Sequence, residues 1–159
     1  MKLLKDIMKN QLSENASVLI IGNEILSGRT IDKNFNFIAS KLNEHGISIS
    51  ESRTVSDNEQ EIINAINELR KKYNYVFTTG GIGPTHDDVT AESVSKAFNV
   101  ELEINEEAYK ILEDYYNELG SEFNDVRQRM ARIPKGASLI KNDISAAPGF
   151  NIENVYVFA

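Results

Sequence analysis

The chain has no cysteine among its 159 residues, so disulfides, thiolate metal ligands and cysteine nucleophiles are excluded. Proline and glycine are scarce, at 3 and 9 residues, which excludes collagen-like and low-complexity chains. No stretch approaches the roughly 18 apolar residues of a membrane-spanning helix. The opening segment, MKLLKDIMKNQLSENAS, is charged too often to be the apolar region of a signal peptide. We therefore expect a cytoplasmic protein with no membrane partner.

Basic residues are outnumbered, since 17 Lys and Arg face 24 Asp and Glu for a net charge of -7. This balance argues against a nucleic-acid partner, which needs clustered Lys and Arg. It leaves room for a small anionic ligand, because backbone amides bind phosphate without net positive charge. The acidity is also local: residues 101–125 hold nine acids and one base, a net of -8 that leaves +1 for all other residues. A basic strip without any acid follows this acidic stretch, and its members are Arg127, Arg129, Arg132, Lys135 and Lys141.

Strand and helix patterns alternate along the chain. Apolar or alternating runs predict strands at residues 18–21, 47–55, 75–78, 100–104, 137–140 and 155–158. Helical periodicity predicts helices at residues 35–45, 58–72, 91–98, 105–119 and 123–132. Strands separated by helices of this length form βαβ units, so we predict an α/β fold with a mainly parallel sheet and helices on both faces. Ligands of such sheets bind beyond the carboxyl ends of the strands.

The first 15 residues stand apart from this alternation. Leu3, Leu4, Ile7, Met8 and Leu12 recur at helical spacing, which is typical of an amphipathic arm. A frayed or tag-like extension explains the same residues equally well. We therefore divide the chain into an arm at residues 1–15 and one domain at residues 16–159, a length suited to a single domain.

The loop TTGGIGPTHDDVT is the strongest candidate for a site. Three glycines follow a short strand and precede a helix, a position in which backbone amides and the helix dipole can meet a phosphate. The loop matches neither the phosphate-binding loop with Lys-Ser/Thr nor the dinucleotide-binding glycine spacing. The adjacent acids Asp87 and Asp88 suit a divalent cation that bridges phosphate oxygens. A plain turn in which Asp88 or Thr90 caps the next helix is the alternative.

Three other loops follow strands or strand-like segments. The loop at residues 22–32 offers Ser27, Gly28 and Arg29 as phosphate donors, or is an ordinary connection in which an acid caps a helix. Asp57 either caps the helix that follows it or presents a carboxylate at the sheet edge. The segment SAAPGF at residues 145–150 is a tight turn that either approaches a ligand or only reverses the chain.

Four segments together resemble the molybdenum-cofactor biosynthesis (MoaB/Mog) domain, and within it the CinA-like branch (competence/damage-inducible protein A, N-terminal domain). They are IGNEILSGRTIDKN, TVSDN, TTGGIGPTHDDVT and RMARIPKGASLIKNDISAAPGF, in order over residues 16–159. The resemblance implies a three-layer α/β/α sandwich and a homo-oligomer, trimer or dimer. It also implies a nucleotide or pterin ligand, with molybdopterin among the possible ligands.

The resemblance assigns roles to individual residues. It implies Asp57 and Asp88 as catalytic residues, and Asp87 and Asp88 as metal ligands for Mg or Co. The residues it places at the phosphate or ligand, together with those offered by the loops, are Ser27, Gly28, Arg29, Thr79, Gly80, Gly81, Gly83, Thr85, Thr90, Pro148 and Gly149.

Three functions are compatible with these residues. CinA-like proteins are associated with metal-dependent hydrolysis of ADP-ribose-type pyrophosphates, which implies a nucleotide pyrophosphatase. Their relatives bind molybdopterin or transfer an adenylyl group to it, and a non-catalytic ligand-binding module is the third possibility. Two departures bear on the choice: Asn23 stands where many CinA-like proteins have aspartate, and Ala146 where a threonine is common. The sequence ends at VYVFA, where family members usually continue, so we expect a domain without that continuation.

Overall fold

A computed structural model describes residues 14–142 and 146–158. Strands and helices alternate as far as residue 128, as the sequence predicts, and within the described residues four strands then follow without a helix of more than one turn between them. The strands are β1 Asn15–Ile21, β2 Ser48–Val55, β3 Tyr75–Thr79, β4 Leu102–Ile104, β5 Arg132–Pro134, β6 Ser138–Ile140, β7 Gly149–Ile152 and β8 Val155–Phe158. The helices are α1 Asn23–Leu26, α2 Asn34–Glu44, α3 Glu59–Lys72, α4 Thr90–Phe98, α5 Glu106–Glu118 and α6 Asp125–Gln128, followed by a 3-10 turn at Arg129–Ala131. The predicted arm lies almost wholly outside the described residues.

Six strands form the main sheet in the order β2-β1-β3-β8-β7-β6. β1 pairs in parallel with β2 and β3, and β3 pairs in parallel with β8, whereas β7 pairs in antiparallel with β8 and β6. The predicted mainly parallel sheet is therefore confirmed, with an antiparallel edge made by the last strands. β4 and β5 form a separate two-stranded antiparallel sheet.

Helices lie on both faces of the main sheet. One face buries Leu19, Ile21 and Val76 against Ile62 and Ile66 of α3, in the cluster that is the hydrophobic core. Side chains alternate along a strand, so Phe77 and Thr79 of β3 point to the opposite face. There they meet α2, which lines a groove together with them. This arrangement is the predicted α/β/α sandwich.

Residues 14–142 and 146–158 cover the α2 face of the sheet only in part. Tyr75, Phe77, Tyr156 and Phe158 form a row of adjacent rings, with centroids 5.3 to 6.3 Å apart. Helix α2 buries no residue completely, and Phe37 on it is 66% exposed. The groove between α2 and the rings has a volume of about 550 Å³. We call this surface the aromatic face.

Two predicted elements differ from the structure. The helix predicted at residues 123–132 is confirmed only in part: α6 covers Asp125–Gln128, the 3-10 turn covers Arg129–Ala131, and Arg132 already belongs to β5, which pairs with β4. The predicted turn at residues 145–150 is partly a strand, because Gly149 and Phe150 begin β7, while Ser145 lies outside the described residues. No helix of the described residues is long and apolar enough to cross a membrane.

Candidate ligand-binding site

The glycine loop, residues 80–83, requires its first two glycines for steric reasons. Gly80 and Gly81 have φ of 93° and 65°, in the left-handed region that disfavours other residues. A Cβ on Gly80 would overlap the carbonyl oxygen of Ile21 at the end of β1, and one on Gly81 would overlap the hydroxyl of Thr90. The loop thus lies tightly against both the neighbouring strand and the helix that follows.

Thr90 holds the glycine loop in place through two hydrogen bonds. Its hydroxyl donates to the carbonyl oxygen of Gly80 at 3.0 Å, and its backbone nitrogen donates to that of Gly81 at 3.1 Å. Thr90 is fully buried and begins α4, whereas Val89 occupies the N-cap without a side-chain hydrogen bond. The alternative in which Asp88 or Thr90 caps α4 is therefore wrong. Thr90 instead determines the loop conformation.

Asp88 closes the turn after the glycines. Its Oδ2 accepts hydrogen bonds from the backbone nitrogen of Thr85 at 2.8 Å and from the hydroxyl of Thr85. A Cβ on Gly83 would lie 2.5 Å from the same oxygen, so the third glycine makes room for this carboxylate. The side chain of Thr85 also lowers the pKa of the exposed Asp87 by hydrogen bonding to it. Asp88 therefore shapes the loop, and both acids face solvent at least in part.

A small pocket of about 30 Å³ lies between the glycine loop, α4 and β5. Four of its lining residues are predicted ligand residues: Gly81, Gly83, Asp88 and Pro148. Three further lining residues are charged and were not predicted: Glu92, Arg129 and Arg132. Within the described residues, the backbone nitrogens of Ile82 and Gly83 donate to no acceptor. Free amides and guanidinium groups around one pocket suit an anion.

A larger pocket of about 340 Å³ lies on the other side of Gly80. Thr79, which the sequence predicts as a ligand contact, is part of its wall together with Thr30, Asp32 and Glu24. Asp32 also accepts a hydrogen bond from the backbone nitrogen of Phe35 at 2.8 Å, although Lys33 and not Asp32 occupies the N-cap of α2. Glu24 was not among the predicted residues, although a carboxylate three residues after the end of β1 was a usable signal.

Ser27, Gly28 and Arg29 lie away from these two pockets. All three residues are exposed, and the Nε of Arg29 donates to the Oγ of Ser27 at 3.1 Å. Gly28 has a φ of 72° but nothing within 4 Å of where a Cβ would stand. These predicted phosphate donors therefore lie in the turn after α1 and not at the glycine loop.

Asp57 is not the helix cap. Asn58 caps α3, since its Oδ1 accepts from the backbone nitrogens of Gln60 at 3.0 Å and Glu61 at 3.2 Å. Asp57 instead accepts from the backbone nitrogen of Asn23 at 2.8 Å, which ties the end of β2 to α1. Asp57 therefore contacts the loop after β1, while Asp88 lies beside Arg129 and Pro148.

Gly149 is required by the close approach of β7 to β8. A Cβ on Gly149 would lie 2.5 Å from the carbonyl oxygen of Val157, so only glycine lets β7 approach β8 there. Gly149 lines the groove at the aromatic face and is absent from the lining of the small pocket, which includes its neighbour Pro148. Of the last predicted ligand residues, Pro148 thus belongs to the glycine-loop site.

The described residues do not fit a resident divalent cation. No group of three or more His, Asp or Glu that could hold a metal occurs in residues 14–142 and 146–158. Asp57 and Asp88 each accept a hydrogen bond from a backbone nitrogen, which occupies an oxygen that a cation would take. The predicted pair Asp87 and Asp88 consists of neighbours in one exposed turn and brings no third ligand.

Comparison with known proteins identifies the family. Residues 17–158 match the family described as "probable molybdopterin binding domain". The chain belongs to this family. A crystal structure of the protein CinA from Thermoplasma acidophilum has 33% identity and a TM-score of 0.82, covering 91% of this chain and 87% of that one. A CinA-like protein of Citrifermentans bemidjiense is 40% identical over 134 residues, which are 84% of this chain and 32% of that protein. The predicted family, its CinA-like branch and the α/β sandwich are thereby confirmed.

The relatives are mostly longer than this chain. A protein of Sulfurisphaera tokodaii is 42% identical over 138 residues, which are 86% of this chain and 52% of the relative. The chain spans about half the length of this and other curated relatives it matches. The shared part is the domain that carries the glycine loop.

Proposed function

We propose that this domain binds a small phosphate-bearing ligand, a nucleotide or a pterin, at the glycine loop. The free backbone nitrogens of Ile82 and Gly83 carry the proposal, since they follow the carboxyl end of the parallel strand β3, in the loop that leads to α4. The loop is held rigid by Thr90 and Asp88, so the amides need no reorganisation to receive a phosphate. Membership in the molybdopterin-binding family supports a pterin as one ligand class.

The larger pocket gives room for the rest of the ligand. It begins at Thr79 and Gly80, directly beside the phosphate-binding amides, and its 340 Å³ fall within the range of small-molecule sites. Ile20, Ile25 and Ile31 provide an apolar wall for a flat ring, while Glu24 and Asp32 offer acceptors for ring nitrogens. In this arrangement the phosphate lies at the loop and the ring lies between β1 and α2.

Hydrolysis of an ADP-ribose-type pyrophosphate is the second candidate function. Asp88 is the carboxylate beside both the glycine loop and the arginines, the position from which an acid could act on a bound pyrophosphate. Its test is phosphate or AMP release from ADP-ribose with Mg or Co. Turnover that needs the metal and is lost in Asp88→Asn, with binding retained, would make hydrolysis the primary function. Adenylyl transfer requires Asp57 and Asp88 at one ligand, and Asp57 lines neither pocket at the glycine loop.

Calorimetric titration of ADP-ribose, ATP and a phosphorylated pterin tests the binding proposal. We expect at least one of these ligands to bind the natural protein and to bind Gly81→Ala at least tenfold more weakly, since the new Cβ displaces Thr90 or the loop. Gly28→Ala is the matched control, because Gly28 also has positive φ but open space around it. Equal affinities for all three proteins would contradict the site, and no binding of any ligand would contradict the function.

We also propose that the chain self-associates through the aromatic face. Within the described residues, a continuous row of partly exposed rings lies beside a groove of about 550 Å³, and exposed apolar surface of this kind is typical of an interaction site. A second copy of the chain is the occupant that we propose, and the resemblance to oligomeric MoaB/Mog domains supports it.

A further inference from the structure

Two arginines of the basic strip have no partner in the described parts of the chain. The side chains of Arg129 and Arg132 have neither a hydrogen bond nor an ion pair with residues 14–142 or 146–158. Arg53 and Arg70 pair with glutamates, Arg127 donates to a backbone carbonyl, and Arg29 donates to a hydroxyl. In a chain of net charge -7, two unpaired guanidinium groups at one pocket are unexpected.

The acids nearest in the fold are already engaged. Asp88 accepts two hydrogen bonds from Thr85, and Glu92 forms an ion pair with Lys96 at 3.3 Å. Lys135, from the same strip, shows the contrast, since it pairs with Glu101 at 3.1 Å. The two arginines therefore line the pocket together with Asp88 and Glu92 but form an ion pair with neither carboxylate.

The two arginines lie opposite the glycine loop. Arg129 belongs to the 3-10 turn and Arg132 begins β5, and both line the pocket whose other wall is formed by Gly81–Gly83. The pocket has room for about one water molecule, but both side chains are partly exposed and can move outward around a larger group. A guanidinium group can hold a phosphate or carboxylate through two parallel hydrogen bonds.

We propose that Arg129 and Arg132 form a second anion subsite, which binds an anionic group of the ligand other than the one held by the glycine loop. This inference rests on the proposed function and specifies its ligand: a small molecule with two anionic groups close together. The second group is a phosphate or a carboxylate, because both accept the same pair of hydrogen bonds. Arg129 and Arg132 then distinguish such ligands from those with a single phosphate.

Calorimetry with three simple probes tests the subsite: inorganic phosphate, pyrophosphate and 2-phosphoglycolate, which has one phosphate and one carboxylate. We expect Arg129→Gln and Arg132→Gln each to weaken pyrophosphate binding roughly tenfold, while phosphate binding at the glycine loop changes little. Lys135→Gln is the matched control, since it removes the same charge from the same strip outside the pocket. Because both arginines are partly exposed and unpaired, thermal unfolding of the two variants should match the natural protein.

The outcomes separate this inference from the binding proposal. If 2-phosphoglycolate loses affinity together with pyrophosphate, the subsite accepts carboxylates; if only pyrophosphate does, it selects phosphate. If pyrophosphate binds and Gly81→Ala weakens it while the arginine variants match Lys135→Gln, the subsite is overturned and the glycine-loop site remains. If no probe and no larger ligand binds the natural protein, both proposals are overturned.

Discussion

At the scale of single residues, Thr90 has more influence on the site than its small side chain suggests. It is fully buried and supplies both a hydroxyl and a backbone donor to the glycine loop. The sequence contains no direct sign of this role, since a threonine at the start of a helix is read first as a cap. The contact depends on the position of the loop above the helix, which only the fold provides.

We predict that Thr90→Val destabilises the protein by about 1–3 kcal/mol, because the carbonyl of Gly80 loses its buried donor while the volume of the side chain is unchanged. The same variant should weaken ligand binding, since the loop is no longer held. Urea unfolding measures the first effect and calorimetry the second. Thr54→Val is the control, as the hydroxyl of Thr54 has no hydrogen bond in the described residues and should change stability by less than about 0.5 kcal/mol. Equal stabilities of the two variants would contradict this account.

The sequence predicted part of the site because some requirements are local. Gly80, Gly81 and Gly83 could be singled out, since three glycines between a strand and a helix have a direct steric meaning. Arg129 and Arg132 were recognised as members of a basic strip but not as pocket residues, because their position depends on the pairing of β5 with β4. Ser27 and Arg29 were expected at the phosphate on donor chemistry alone, and the direction of the chain after α1 places them elsewhere.

At the scale of elements, β2 is attached to α3 by a polar network at the edge of the sheet. Glu51 accepts hydrogen bonds from Tyr73 at 2.7 Å, Arg53 at 2.7 Å and Lys72 at 2.9 Å. These bonds, with that from Tyr73 the strongest influence, lower the pKa of Glu51 from 4.5 to about 2. The ionised carboxylate is thus favoured in the folded state.

This network predicts a dependence of stability on pH. Because the folded pKa of Glu51 is lowered, its contribution is present above pH 4.5 and is lost as the pH falls from 4.5 towards about 2. We expect the loss to be about 1 kcal/mol, since the group is partly exposed and solvent screens it. Urea unfolding over this pH range should show the loss in the natural protein and a smaller one in Glu51→Gln. Glu118→Gln, an exposed carboxylate without an ion pair in the described residues, should retain the full pH dependence; if it behaves like Glu51→Gln, the attribution is wrong.

Element boundaries could be predicted where local chemistry decides them. The bounds of β1, β3, α3 and α5 agree closely with those predicted from the periodicity. The buried residues of the two helices lie on one side, and the two strands are buried over most of their length. The helix expected at residues 123–132 forms over residues 125–131 and ends one residue early, because Arg132 pairs with β4 as part of β5. That Asn58 caps α3 and Asp57 does not also needed the structure, since either side chain can cap a helix.

At the scale of the whole molecule, the aromatic face leads to a prediction about assembly. Phe37 is 66% exposed on α2 and lines the groove with Phe77 and Phe158. If a second copy covers this face, Phe37→Ser should weaken self-association roughly tenfold without loss of stability, as measured by sedimentation equilibrium. Val126→Ser, which removes a comparably exposed apolar side chain outside the groove, should associate like the natural protein. A monomeric natural protein, or equal association of both variants, would contradict the proposed interface.

The most direct test of the central claim is an NMR titration of the ¹⁵N-labelled protein with ADP-ribose, pyrophosphate or a phosphorylated pterin. The account predicts that the backbone amides of Ile82 and Gly83 shift most and saturate with the ligand, because a phosphate oxygen becomes the acceptor they lack in the free protein. Amides of α5 and α6, which line none of the pockets at the glycine loop, should stay in place. Saturable binding that leaves Ile82 and Gly83 unshifted, and moves the aromatic face or another region instead, would contradict it.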